Sequence, residues 1–303
     1  MAPKEETISD ILKRLIAAPS EKIKLSDYIS DLLRRAVDKL NQDKFSPNGQ
    51  VTNEEFASRL QRYEDAIADL NIAVILLAHW AEPEQIKLIE KIFARLAEVE
   101  KGGGGTVVWL RLGWYPILML MYSAGISALA AGRYDGLRAA LLTSAYPGQI
   151  RASRGMLPIV LPTIEELTEI VNAFKLLPDM ERKYVPRSEH LFKKLQPALE
   201  DQLFLGRSYD SLFDEFEIIL ALTFSDLRDD DPDKHAWGPP GRFAWKERGR
   251  FSDDAVYTKF VNATKALGDN WGALREGFFR SSVTRFSKVA DAYGRVLERV
   301  NWW

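Results

Sequence analysis

The sequence predicts an all-α fold, and three observations predict it. Apolar residues recur at three- and four-residue spacing through most of the 303 residues. Prolines, glycines and Ser/Thr caps punctuate that pattern at helix-length intervals. Strand character is confined to LPIVLP at 157–162, a short apolar run bounded by prolines that reads as a buried extended segment or one short strand.

The elements follow in order. Ile8, Ile11, Leu12, Leu15 and Ile16 share one helical face, and Pro19 ends that helix. Tyr28, Ile29, Leu32, Leu33, Val37 and Leu40 form a second face, with Ser26 or Asp27 as its cap. SPNGQ at 46–50 is turn composition. Thr52 and Glu55 have capping-box spacing and open a helix over about 54–78, followed by another over about 84–100. Lys101 and four glycines interrupt the pattern. They predict a hinge at 102–105 between an N-terminal helical subdomain, 1–101, and a C-terminal one, 106–303.

Leu112 to Gly132 is the longest uncharged run, 21 residues between Arg111 and Arg133, and meets the length rule for a membrane helix. Pro116 suits a first helical turn and Gly132 suits the residue just past a helix end. A helix so bounded is about 24 Å long, short of the roughly 30 Å hydrocarbon core. Gly125, flanked by Ser123, Ala124, Ser127 and Ala128, leaves a narrow surface on which another helix can approach. The run therefore reads as a buried helix rather than a span. With the helix starting at Asp135 it forms a tetratricopeptide-like hairpin, AGISALAAGRYDGLRAALL, of which one unit is visible.

Beyond the turn at Tyr146-Pro147-Gly148, Thr163 and Glu166 have capping-box spacing and predict a helix to about Leu176. Further helices are expected over about 188–203 and from Asp210 or Ser211, with Leu212, Phe216, Ile219, Leu220 and Phe224 as the apolar face of the latter. A non-helical insert, 229–251, precedes helices at about 253–267, 273–278 and 284–300. The whole is an irregular helical bundle with a tetratricopeptide-like hairpin and a long aromatic and basic loop insert.

Composition narrows the chemistry. Net charge is −2, so no global field favours nucleic acid or an anionic membrane. The absence of Cys excludes disulfides, thiolate nucleophiles and zinc ribbons. The charged, amphipathic N-terminus MAPKEETISDILKRL lacks the apolar core of a secretory signal, which makes a cytoplasmic protein the expectation. The four glycines lack the Lys of a phosphate-binding loop. Three histidines, His79, His190 and His235, have no partner at metal spacing. Glu189 and His190 are adjacent and so point to different helix faces. A hydrolase or nuclease site would need them joined to the aspartates after Asp226. Asp226, Asp229, Asp230, Asp231 and Asp233 lack the Gly and Glu of a calcium loop and read as a solvated loop after a helix end. No catalytic residue, metal ligand or cofactor is assigned, and the protein reads as a non-enzyme.

Binding residues are sought instead in the insert, where Arg242, Lys246, Arg248 and Arg250 interleave with Trp237, Phe243, Trp245 and Phe251. Such a run either pins a long loop to the core, its cations paired with nearby acids, or stacks bases and holds phosphates. Trp302 and Trp303 end the sequence and are expected to pack on the body or on another chain.

Five segments, VTNEEFASRLQRYE (51–64), LGWYPILMLMYSAGISALAAGRYDGL (112–137), RSEHLF (187–192), FDEFEIILALTFSDLR (213–228) and WGPPGRFAWK (237–246), give the chain a resemblance. It resembles the C-terminal helical region of multidomain bacterial defence-like proteins, in which a sirtuin-like, Toll/interleukin-receptor-like or Schlafen-like ATP-binding module comes first. The resemblance implies that catalysis belongs to an effector module this chain does not contain. The expectation is a non-enzymatic regulatory, sensor or scaffolding subunit of an antiphage-type system, acting through a protein partner or self-association. The alternative is a nucleic-acid-binding module using the basic-aromatic insert, with salt-sensitive binding lost when Arg242, Lys246, Arg248 and Arg250 are neutralised.

Overall fold

The computed structural model describes residues 6–41, 43–99, 101, 104–146, 153–231, 236–246 and 255–300. It is all-α and about 75% helical, with fourteen α-helices among the described residues. A two-residue antiparallel pair, β1 (Ser144–Ala145) with β2 (Leu157–Pro158), sets Ser144 opposite Pro158 and Ala145 opposite Leu157.

The first two helices form an outer layer. α1 (Ile8–Ile16) opens on Thr7, whose hydroxyl accepts the Asp10 amide N–H at 3.2 Å, while the Asp10 carboxylate accepts the Thr7 N–H. Replacing Thr7 with Ala is expected to lower the urea midpoint by the equivalent of about 1 kcal/mol, without changing the slope of the transition. α2 (Lys22–Lys39) begins earlier than its expected cap at Ser26 or Asp27. Pro19 starts a single 3-10 turn that passes directly into the helix and lets Leu25 join the buried face.

α3 (Asn53–Trp80) is the longest helix, and Thr52 accepts the Glu55 N–H at its start, as the spacing predicts. α4 (Pro83–Ala97) returns beside it. The Lys101 ammonium closes the end of α4 by donating to the carbonyls of Ala97 and Val99, at 3.2 and 2.9 Å. Gly105 lies against Pro47, with the Thr106 N–H donating to the Pro47 carbonyl at 2.8 Å. Gly102 and Gly103 fall outside the described residues.

α5 (Val107–Leu112) leads into α6 (Tyr115–Ala130), the axis of the fold. Every residue from Tyr115 to Ala128 is buried, and a helix apolar all round belongs in an interior. Among the described residues, 107–130 is long and apolar enough to cross a membrane, and 89% of that window is buried inside the protein. α6 packs on α3, on α7 (Tyr134–Leu142), and on α8 (Val160–Thr168), α9 (Pro186–Leu203) and α10 (Ser208–Arg228). Pro116 occupies the first turn, and Gly132 takes φ +66° just past the helix end. Gly125 meets the Phe216 ring of α10 so closely that any side chain there would overlap it.

α8 (Val160–Thr168) departs from the expected start at Thr163. Pro162 falls in the first turn, where a missing N–H costs nothing, so the helix begins before it. Thr163 is thereby interior, and its hydroxyl donates to the Ile159 carbonyl at 2.7 Å. A 3-10 stretch, Val171–Leu176, completes the run. α9 (Pro186–Leu203) starts on its proline, two residues ahead of Ser188, and α10 (Ser208–Arg228) follows. The segment expected to be non-helical contains a short helix, α11 (Arg242–Lys246). α12 (Val256–Leu267), α13 (Gly272–Arg275) and α14 (Val283–Arg299) close the fold. α13 is a single turn where a helix to Phe278 was expected. Gly277, just past its C-cap Glu276, takes φ +89° and stops it, and Phe279, Arg280 and Ser281 then take positive φ as well.

A buried carboxylate, an unpaired arginine and the segment that covers them

Of the carboxylates buried among the described residues, Glu64 and Glu217 each gather several donors. Glu64 sits on the apolar face of α3 with Leu60 and Ile67, and is 5% exposed. The Tyr115 hydroxyl donates to its Oε1 at 2.8 Å, His190 Nε2 lies 3.1 Å from the same oxygen, and Lys194 Nζ lies 2.6 Å from Oε2. Burial raises the Glu64 carboxyl, but the hydrogen bonds from His190, Lys194 and Tyr115 outweigh it and hold the group below its ordinary value.

Two turns along α6 and half a turn back along α9 a second cluster surrounds Glu217, which is 2% exposed on α10. Ser188 donates to Oε1 at 2.6 Å and Tyr122 donates to it at 3.0 Å. The Arg242 backbone N–H donates to Oε2 at 2.7 Å and lies 3.1 Å from the Ser188 hydroxyl. A side chain at 241 would strike the Glu217 carboxylate, and one at 238 would strike the Ala221 carbonyl. The two glycines of WGPPG thus let the backbone lie directly on α10. Burial pushes the Glu217 carboxyl up to about 7, against the hydrogen bonds from Ser188, Arg242 and Tyr122, with Asp214 adding to the rise.

Between these elements is a cavity of about 330 Å³, lined by Tyr122, Ser188 and Glu217 and walled by Val171, Tyr184, Leu220, Trp237, Pro239 and Pro240, among others. Arg187 also lines it. This arginine is 6% exposed, and its Nη1 is buried with no hydrogen-bond partner. Burial lowers its affinity for the proton, with Tyr122 and Glu217 opposing; an arginine stays charged even so.

The residues predicted to bind line up along the covering segment. Trp237 packs edge-on against Phe224 at 5.6 Å, with the Arg228 guanidinium over its ring. The Arg242 guanidinium lies 3.4 Å over the Phe192 ring, with Asp210 at 3.5 Å and Glu189 at 3.9 Å. Phe243 is fully buried and stacks on Tyr257. Trp245 stacks on Tyr184, centroids 4.2 Å apart. Lys246 Nζ lies 2.7 Å from both Asp210 and Asp214, and burial pushes the Asp214 carboxyl up to about 6 against the pull of Lys246. Arg248, Arg250, Trp302, Trp303, His235 and Asp233 lie outside the described residues.

Glu189 and His190 part company as their adjacency predicts: His190 turns to Glu64 and Glu189 towards Arg242. Asp226 is buried and paired, while the Asp230 side chain remains 91% exposed, as a solvated loop predicts. Arg285 of α14 binds the Asp226 carboxylate and the carbonyls of Asp226, Asp229 and Asp230, and Arg280 pairs with Asp230. His79 Nδ1 lies 3.1 Å from the Ser127 carbonyl, and burial lowers its affinity for the proton. Among the described residues no group of three or more His, Asp or Glu is placed to hold a metal ion.

The sequence reading missed Glu64, Tyr115, Tyr122, Arg187, Ser188 and Glu217. One signal was present. Glu64 follows Leu60 by four residues and precedes Ile67 by three, and Glu217 stands in the same relation to Phe213 and Leu220. A carboxylate on an apolar helical face must be buried with partners. The five segments that carry the resemblance supply nearly all of this centre. No family model matches the chain, and no curated protein or solved structure matches it either.

Proposed function

We propose that this chain is a non-enzymatic regulatory subunit of the antiphage type, in which a small molecule held in the cavity between α9, α10 and residues 237–241 governs binding of a protein partner. Arg187 carries the reading. Buried polar groups are almost always hydrogen-bonded, and leaving one unpaired costs about 1–3 kcal/mol, more for a charge. A guanidinium kept that way beside a cavity is a group whose partner is a ligand. The cavity wall supplies the output. Tyr184 lines the cavity and stacks on Trp245, and Trp237, Pro239 and Pro240 continue into α11. Occupancy would therefore bear directly on the basic-aromatic segment.

The same reading treats α6 and α7 as a tetratricopeptide-like hairpin, supported by Gly132 at the turn and by the close approach of Gly136 to Ala78 and Ala128. It treats 229–251 as an insert and places the protein in the cytoplasm. The test is purification of the chain from its native operon, with mass spectrometry and sizing of what accompanies it. A stoichiometric protein partner or a defined self-assembly is expected. A monomer that brings only nucleic acid, released by salt, would transfer the function to the alternative reading.

A further inference from the structure

We propose that the cavity is a binding site for a small organic monoanion, a carboxylate on a flat apolar body, held by Arg187. The proposal rests on the cavity being the sensing element, and not on who the partner is.

Size comes first. At about 330 Å³ the cavity stands at the low end of the ~300–1,000 Å³ typical of small-molecule sites. Its walls set the body of the ligand. Leu220, Val171, Pro239 and Pro240 are apolar, and Tyr184 and Trp237 present rings, surfaces that suit a flat hydrocarbon or aromatic group.

Charge sets the head group. Arg187 is the one cation among the described lining residues; Arg242 also has a buried Nε and Nη1 without hydrogen-bond partners but does not line the cavity. The Arg242 side chain lies over Phe192 with Asp210 and Glu189 beside it, Lys246 holds Asp210 and Asp214, and Lys194 holds Glu64. Arg187 alone lines the cavity with an unpaired Nη1. A guanidinium fork matches a carboxylate bidentately, whereas the Ser188 hydroxyl on the same wall already donates to Glu217. One uncompensated positive charge balances one negative charge. A phosphate dianion would leave a second charge facing Glu217, which shares the cavity. A cation would face Arg187 directly, and a neutral ligand would leave the guanidinium unpaired.

The experiment uses the full chain and three probes of one shape, phenylacetate, phenyl phosphate and 2-phenylacetamide, in titration calorimetry with thermal melts alongside. Phenylacetate is expected to bind at least about tenfold more tightly than the amide, a difference of about 1.4 kcal/mol, and more tightly than phenyl phosphate. Arg187→Met is expected to abolish that preference while melting no lower than the parent, because it removes an unpaired buried charge. Val171→Phe, which fills the cavity from its rim, is expected to bind none of the three. The proposal is overturned if acid and amide bind alike or neither binds, if phenyl phosphate binds best, or if Val171→Phe binds as the parent does. It is also overturned if Arg187→Met melts lower or fails to fold, since Arg187 is then a structural charge. A partner captured from the native operon by a chain that ignores phenylacetate would remove the ligand class and leave the regulatory reading. Acid binding by a chain with no partner would do the reverse.

Discussion

Gly125→Ala is expected to destabilise the fold by about 3 kcal/mol, at the upper end of what overpacking costs. In an exposed helix the same change gains about 1 kcal/mol from propensity alone, so the sign itself is diagnostic. The reason is the Phe216 ring of α10, which lies where the new methyl would go. Phe216 is fully buried and packs edge-on against Tyr122 at 4.8 Å. It cannot withdraw without disturbing a side chain that holds Glu217. Gly125→Ala combined with Phe216→Leu should recover at least half of the loss, a coupling that a double-mutant cycle in urea measures directly. A neutral or stabilising Gly125→Ala would mean that α6 and α10 are further apart than described. Gly136, whose nearest neighbours would stand 3.2 Å from a new methyl, should tolerate alanine better.

Glu217→Ala should be the most damaging single polar change in the protein. It strips the acceptor from the Tyr122 hydroxyl, the Ser188 hydroxyl and the Arg242 N–H at once. Each buried donor so orphaned costs about 1–3 kcal/mol, and the total rivals the 5–15 kcal/mol that holds a typical domain together. Glu217→Gln keeps an acceptor oxygen and is the variant with which to examine pH. The folded carboxyl at about 7 stands above its ordinary 4.5, so between those values the folded state holds a proton the unfolded state has released. This contribution to stability is fully present below about pH 4.5 and is lost as pH rises through 7. Its slope reaches at most about 1.4 kcal/mol per unit. The groups facing Glu217 are Ser188 and Arg187 from α9, Tyr122 from α6, the Arg242 N–H, Asp214 one turn along α10, and Tyr293 from α14. Asp214, raised to about 6, adds a slope of the same sign in an overlapping window, and Glu64, held low, adds one of opposite sign in acid. Subtracting the Glu217→Gln curve from the parent's isolates the glutamate. A flat difference between pH 5 and 8 would falsify its assignment as a buried, proton-holding group.

The helices were legible because their cause is local. Thr52, Pro116 and Gly132 act within a turn of themselves, and the structure finds each doing what its residue type suggests. Errors fell where two local signals competed. Thr163 has a cap's spacing, yet Pro162 let the helix start first. Gly277 past the C-cap is a glycine stop that the helical pattern to Phe278 overrode, whereas the positive φ at 279–281 uses no glycine. The buried centre was illegible for a different reason. Glu217 draws partners from positions 122, 188 and 242, and no periodicity relates those numbers. The basic-aromatic segment was noticed for its composition, but the contact that anchors it to α10 comes from the backbone amide of Arg242 and the bare Cα of Gly241. Neither has a side-chain signature.

The tie between Arg242 and Glu217 also fixes an order of events during synthesis. Chains emerge from the ribosome N-terminus first, at about 5–20 residues per second. α6, α9 and α10 can begin to pack while residue 242 is still within the ribosome, and Glu217 then has its two hydroxyl donors but not its amide. This contact spans 25 residues, fewer than the 29 and 95 of the two hydroxyl donors, so it comes last because its donor is made last, and it fastens one wall of the cavity. A nascent chain paused with residues up to 228 outside the ribosome would hold that wall open, with Phe224 and Leu220 bare. Emergence of WGPPGR from the ribosome would be the step that seals it.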